Sequence, residues 1–343
     1  DLWYPDSTSY RGSVVSDAFN VPQGLTTEEE WNSVKTYLRP VLIGIKNCEN
    51  VLLEDCLFQN SPCWNIHPLM CKNVIINNIT VRNPWYSQNG DGLDVDSCEN
   101  VLVINSSFDV GDDAICIKSG KDEDGRRRAR PCRNLIVDNC IVFHGHGGFV
   151  VGSEMSGGVE NIKVSNCRFL GTDVGLRFKS CRGRGGVVKN IYIEDIVMMN
   201  IPTEPLLFDL HYGGKSAVEA AAEGASPFDV EYVEADETTP QFRDIYIKDV
   251  VCSGAARAMY FNGIPEKNIE NIVVEDCEIV STKGADLRYS NGVQLKNVNI
   301  TQSEGQGYSV ANCRNVLIED CTDASGSESL NVFQHNSTNV KID

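Results

Sequence analysis

A short motif recurs along the whole chain: Asn, an aliphatic residue, then alternating apolar positions. It reads ENVLLEDC at Asn50, KNVIINNI at Asn73, ENVLVINS at Asn100, RNLIVDNC at Asn134, ENIKVSNC at Asn161 and KNIYIEDI at Asn190. It continues as ENIVVEDC at Asn271, KNVNITQS at Asn297, RNVLIEDC at Asn315 and TNVKID at Asn339, with Asp244 in the same slot of RDIYIKDV. Successive slots lie 18 to 34 residues apart, save the 54 from Asn190 to Asp244. Each unit is a period-2 strand followed by turns and a second apolar stretch. One unit cannot bury its own hydrophobic face, whereas stacked units share a continuous core.

A repeat of about 25 residues without an internal helix predicts an all-β solenoid, the parallel β-helix, as a single elongated domain. The Leu-x-x-Leu-x-Leu signature of the competing leucine-rich repeat is absent. Coils then sit about 4.8 Å apart, the ordinary inter-strand spacing. The recurring Asn is expected to form amide ladders from coil to coil. The sequon-like triplets at Asn78, Asn105 and Asn299 are expected to fall in repeat strands, with a structural role. The fourteen cysteines include no Cys-x-x-Cys pair and often share one slot of the repeat, which predicts stacked buried thiols. Residues 41–343 form the repeat domain, and residues 1–40 are expected to cap it or to link it to a missing N-terminal part. Thr27 and Glu30 are spaced as helix-start residues. Residues 211–240 read as a long loop with one short helix.

With 30 Lys and Arg against 48 Asp and Glu, the formal charge is −18, which argues against nucleic acid as the main partner. No run of eighteen apolar residues offers a membrane span. The chain starts at Asp1 without a leader, as a processed or truncated product would.

Four consecutive coils carry the chemistry. Aligned on a terminal Ser, they read GDGLDVDS (90–97), GDDAICIKS (111–119), GHGGFVVGS (145–153) and GTDVGLRFKS (171–180). The second and fourth positions before the Ser are large and apolar in every row, so they face the core and the first and third face outward. The outward set is Asp96/Asp94, Lys118/Cys116, Gly152/Val150 and Lys179/Arg177. The same register brings Asp91, Asp112, Asp113 and His146 onto that patch, if the Gly-led sixth position is a turn. Crowded carboxylates resist simultaneous ionisation, so at least one pKa must rise. A protonated carboxyl beside an ionised one is what glycoside hydrolysis requires.

Asn-Gly-Asp at 89–91, Gly-Asp-Asp at 111–113, Gly-His-Gly at 145–147 and Arg-Phe-Lys at 177–179 resemble, in order, the signature motifs of the polygalacturonases, glycoside hydrolase family 28. The resemblance covers about residues 40–343. It implies a right-handed parallel β-helix that hydrolyses α-1,4 bonds between galacturonates of pectin with inversion. By resemblance Asp112 is the general acid, Asp91 and Asp113 position and deprotonate the attacking water, and His146 supports the acid's protonation state. Arg177 and Lys179 would hold the substrate carboxylate and Asn89 would contact the sugar. Tyr260, outward by alternation, would line a subsite. No cofactor or metal is expected, and the enzyme is expected to be secreted or periplasmic and to act as a monomer. Long insertions at 121–133 and 211–240 favour exo-action by closing one end of the groove.

Two other readings stand beside this one. Asp91, Asp94 and Asp96 could ligate Ca²⁺, as in a calcium-dependent pectate lyase. A non-catalytic carbohydrate-binding rod would also use the repeat, although it has no reason to crowd Asp91, Asp112 and Asp113. The arginine-rich stretch 121–133 reads either as a solvated loop or as a basic flap beside the cleft.

Overall fold

The repeated Asn is a backbone requirement before it is a ladder. Asn50, Asn73, Asn100, Asn134, Asn161 and Asn190 all sit at φ between 55° and 58°. Only Gly adopts this left-handed region without cost, and Asn is the next best tolerated. Each residue bends its chain at one corner of the coil, and the corner amides then bond along the rod. Asn100 Nδ2 donates to Asn73 Oδ1 at 3.0 Å, Asn134 to Asn100 at 3.2 Å, and Asn161 to Asn134 at 3.3 Å. A second corner repeats the device at Asn78, Asn105, Asn139 and Asn166, with Asn139 donating to Asn105 at 2.8 Å. The sequon residues Asn78 and Asn105 therefore occupy corners, not strands, and Asn299 lies in a strand.

The computed structural model describes residues 26–30, 39–213, 230–324 and 330–343. The named strands pair in parallel, each with its counterpart one coil away, and they form a right-handed parallel β-helix. One face runs through Ile43–Lys46, Ile66–Leu69, Leu93–Asp96, Asp113–Lys118, Gly147–Gly152, Val174–Lys179 and Leu206–Asp209. It continues through the last residues of Gln241–Asn262, Ile269–Arg288 and Gln294–Ala311. The expected register holds residue for residue: Asp94 faces Cys116, Cys116 faces Val150, Val150 faces Arg177, and Arg177 faces Leu207 and then Tyr260.

One repeat differs from the sequence reading. Asn297 pairs with Asp276 at the second corner, and Gly292, at φ 74°, takes the first corner. The motif around Asn297 imitates the others because both corners demand the same residue type. Beneath the outward side chains runs a column of inward aromatic rings. Phe178 and Phe208 stack at 4.5 Å and Phe261 meets Phe208 edge-on at 4.6 Å, all of them fully buried. All fourteen cysteines are free thiols and eleven are buried. Cys71 and Cys98 touch along the rod, the Cys71 amide donating to the Cys98 sulfur.

Of the expected N-terminal helix start, Thr27 and Glu30 form a reciprocal capping box: the Glu30 amide donates to Thr27 Oγ1 and the Thr27 amide to Glu30 Oε2. The rest of the expected cap, and the helix expected within 211–240, lie outside the described residues. The arginine-rich stretch contains a helix, α1, over Asp122–Arg128. Its acids occupy the first turn and its arginines the last, in line with the helix dipole. Arg126 donates to the Gly183 and Arg184 carbonyls and Arg184 pairs with Asp122, so the stretch folds onto the loop two coils on.

The corner geometry sets an expected outcome. Asn134→Val removes two ladder bonds and forces a β-branched residue into the left-handed region, at about 1–3 kcal/mol of stability. Asn134→Gly keeps the backbone conformation and costs less. Chemical denaturation of the two variants checks this, and equal losses would show that the side-chain ladder alone decides the corner.

Candidate active site

The patch is built by four adjacent strands and the turns that lead into them. Asp91 lies in the turn before Leu93–Asp96, and Asp113 opens the Asp113–Lys118 strand. Asp112 is half-buried at the tip of the preceding turn, where its Oδ1 accepts the Asp113 amide at 2.9 Å. Two glycines allow this packing. A Cβ at Gly90 would fall 1.8 Å from Ser87 Oγ, and Gly145, at φ 156°, lies against the Asp112 carbonyl.

Asp113 is the charged centre. It is 1% exposed, and Lys179 Nζ reaches back across two coils to its Oδ2 at 2.6 Å. Arg177 Nη1 meets the other oxygen at 3.1 Å and the His146 carbonyl at 3.3 Å. Burial alone would raise the Asp113 carboxyl, but Lys179 and Arg177 outweigh it and hold the group below the usual range. Lys179 is thus committed to Asp113 in this state. Arg177 is less so: its buried Nε has no hydrogen-bond partner among the described residues, and its guanidinium carbon stands 5.9 Å from the Tyr212 ring centre.

Asp112 forms a separate pair. His146 Nδ1 lies 3.1 Å from its Oδ1, while Asp173 stands 3.8 Å from the other ring nitrogen. Burial pushes Asp112 up, but the His146 hydrogen bond and charge, with help from Lys179 and Arg177, bring it well below its ordinary value. In return the Asp112 hydrogen bond raises His146 against the effect of burial. His144 and His146 sit in a bend, not on one strand face, and they diverge. His144 stacks on Trp85 at 3.7 Å and meets Asp109 at 3.1 Å.

Asp91 and Asp94 behave oppositely. Both are buried, and burial, then their mutual repulsion for Asp91, drives the Asp91 carboxyl well up; burial does the same for Asp94 against the pull of Lys118. Lys118 lies 3.5 Å from Asp94, bonds Glu154 at 2.9 Å and covers the Trp64 ring at 4.7 Å. Although burial resists it, Lys118 brings Glu154 down to about 2. The patch therefore holds two carboxyls pushed toward the protonated form and a set held toward the ionised form, the division that acid–base chemistry uses.

Among the described residues, Asp91, Asp113 and Cys116 bring ligand atoms within 4.8 Å of one another. They suit a metal poorly, because Lys179 and Arg177 already neutralise Asp113 and burial keeps the Cys116 thiol protonated. The Asp91–Asp94–Asp96 set expected for calcium is likewise occupied, Asp94 by Lys118 and Asp96 by His67 at 3.5 Å.

The remaining expected residues fall at the margins. Asn89, at φ 53°, accepts a 2.7 Å bond from Arg39 beside the Asp91 turn. Tyr260 lies in the Arg177 column, two coils on. Sequence reasoning missed Glu154, Asp209 and Tyr212. Asp209 was within reach, since Leu206 and Phe208 extend the same alternation and Asp209 pairs with Lys179 in register. Glu154 lies one residue past the aligned Ser, and Tyr212 lies in a loop with no repeat to mark it.

The Asp112–His146 pair has a signed pH dependence. Its stabilisation is present between the lowered Asp112 and the raised His146 values. It is lost as pH falls through the first or climbs above 6.5 through the second. An NMR titration is expected to find the His146 imidazole titrating above the ordinary histidine range and returning toward it in Asp112→Asn. An unmoved titration in that variant would break the pair.

Comparison with known proteins agrees with this geometry. Residues 27–285 match the family described as glycosyl hydrolases family 28. A probable polygalacturonase of Vitis vinifera is 29% identical over 71% of this chain and 47% of its own length. An exo-poly-alpha-D-galacturonosidase of Dickeya chrysanthemi is 26% identical over 73% of this chain and 40% of its own. The chain thus spans about half the length of the curated relatives it matches, or less. Among solved structures, a hyperthermoactive exopolygalacturonase from Thermotoga maritima superposes with a TM-score of 0.68 at 32% identity, over 81% of this chain and 58% of that one. By a match that spans most of its repeat domain, the chain belongs to glycosyl hydrolases family 28.

Proposed function

We propose that the protein hydrolyses α-1,4 bonds of polygalacturonate, acting from a chain end and inverting the anomeric carbon. The observation that carries this reading is the division of one buried patch into a proton-holding and an ionised set, framed by Arg177 and Lys179. The exo-acting relatives support the chain-end preference. The Asp112–His146 pair holds one exchangeable proton, which rests on the imidazole in the open site. A substrate that excludes water weakens the ionised state of Asp112, so that the proton passes to Asp112 and on to the leaving oxygen. Asp113, kept ionised by Lys179 and Arg177, accepts the proton of the attacking water. Asp91, protonated by burial, orients that water. Arg177, with its unpartnered Nε, takes the uronate carboxylate, and Lys179 sustains Asp113. Asn89 and Tyr260 contact neighbouring rings.

A second reading has one observation in its favour: Asp91 holds its proton more firmly than Asp112, so Asp91 itself could protonate the leaving oxygen. A cap for the rod within residues 1–40 is in line with Arg39, which donates to the Pro62 and Gln88 carbonyls. Action outside the cytoplasm fits a polymer substrate of the cell wall. No helix among the described residues is long and apolar enough to cross a membrane.

Polygalacturonate incubated with the protein in excess EDTA is expected to release saturated monomer at early times. Saturated oligomers would remove the exo assignment, and unsaturated products that appear only with calcium would replace hydrolysis by elimination. Asp112→Asn is expected to lower turnover of the polymer by roughly 10²–10⁴-fold. A galacturonide with an acidic aryl leaving group needs no general acid, so the same variant should cleave it at close to the parent rate. Rescue in Asp91→Asn instead would transfer the acid role to Asp91.

A further inference from the structure

Further along the face that carries the carboxylates, Arg257, Lys283 and Arg288 line a cleft of about 500 Å³ with two acids, Asp286 and Glu304, the latter facing Lys283 in register. The register places it. Arg177 leads through Leu207 and Tyr260 to Asp286, and Arg257 faces Lys283. At one coil per about 4.8 Å, Asp286 stands five coils, about 24 Å, beyond the Asp112 turn.

The cations of this cleft are held in graded ways. Arg288 is fixed on Asp286 by contacts of 2.6 and 3.1 Å. Arg257 is looser, with its Nε 3.4 Å from Glu204 and its Nη1 3.7 Å from Asp286. Burial raises the Glu204 carboxyl, which weakens that counter-charge. Lys283 is exposed and makes no ion pair among the described residues. Both guanidinium groups also lie against the Tyr260 ring, Arg257 at 4.1 Å and Arg288 at 5.4 Å from its centre.

A chain of net charge −18 repels a polyanion at long range, so cations gathered in one cleft on the catalytic face act against the general field. A pyranose ring is about as long as one coil is thick. A uronate chain laid along the strand face therefore advances by about one ring per coil. We propose that the Arg257–Lys283–Arg288 cleft is a distal station for the carboxylates of an oligogalacturonate whose reacting bond lies at Asp112. This inference rests on the polygalacturonate reading of the site, and it makes affinity depend on chain length.

The test is equilibrium binding of di- and hexagalacturonate to the full chain, by calorimetry, with Asp112→Asn as the common background to stop turnover. Hexamer is expected to bind more tightly than dimer, and added salt should narrow the gap. Combining Lys283→Glu with Arg257→Gln is expected to weaken hexamer binding roughly five- to tenfold, through the loss of two charge contacts. The hexamer-to-dimer ratio should fall with it. Equal affinities for the two oligomers, or an unchanged ratio in the double variant, would overturn the station. Hexamer binding that depends on these charges in a protein that never cleaves the hexamer would overturn the hydrolase reading and leave the station standing.

Discussion

The structure depends on the parallel backbone ladder that locks each coil to the next in register. Because every side chain has a counterpart about 4.8 Å away, residues remote in sequence become neighbours by position alone. Lys179 lies 66 residues after Asp113, yet it closes a 2.6 Å contact with it because both belong to one face of one ladder. The ladder also accounts for the corners, since a bend repeated at one place in every coil needs the same backbone conformation each time. Asn supplies it and then bonds to its own kind above and below.

Upon that lattice the patch is an exercise in charge placed where water is scarce. Asp91, Asp94, Asp112, Asp113 and Glu154 face four cations, Lys118, Arg177, Lys179 and Arg184, and one imidazole. An isolated carboxylate at these depths would cost far more than its interactions return. Lys179 and Arg177 favour the ionised form of the group nearest them, the His146 hydrogen bond does so for Asp112, and burial favours the protonated form of Asp91 and Asp94. The inward Phe178 and Phe208, stacked directly below the strands that carry these groups, give the charges a stiff floor.

The architecture was legible in the sequence because its two signals, the Asn slot and the period-2 alternation, are both local. Aligning four coils on Ser97, Ser119, Ser153 and Ser180 reproduced the observed strand register without error. The slot of Asn297 was misread, because the two corners select the same amino acid and a five-residue shift leaves the motif intact. In the patch, the outward columns could be read but the choice of partners could not. The sequence put Arg177 and Lys179 on the right face, yet only their reach across coils shows that both touch Asp113. Which carboxyl holds a proton is a property of depth and distance, and no spacing rule encodes it. Glu154 and Tyr212 come from loops, where the repeat has no authority.

The aligned ladder also governs how the molecule comes apart. In a stack where each coil touches only its two neighbours, unfolding begins by peeling from an end, and interior units are the last to let go. The coils from Asp91 to Lys179 have neighbours on both sides, and Lys179 ties three of them through a single ion pair. The chemistry is therefore housed where fraying arrives last, so a molecule that has lost order at its ends keeps its reacting groups in place.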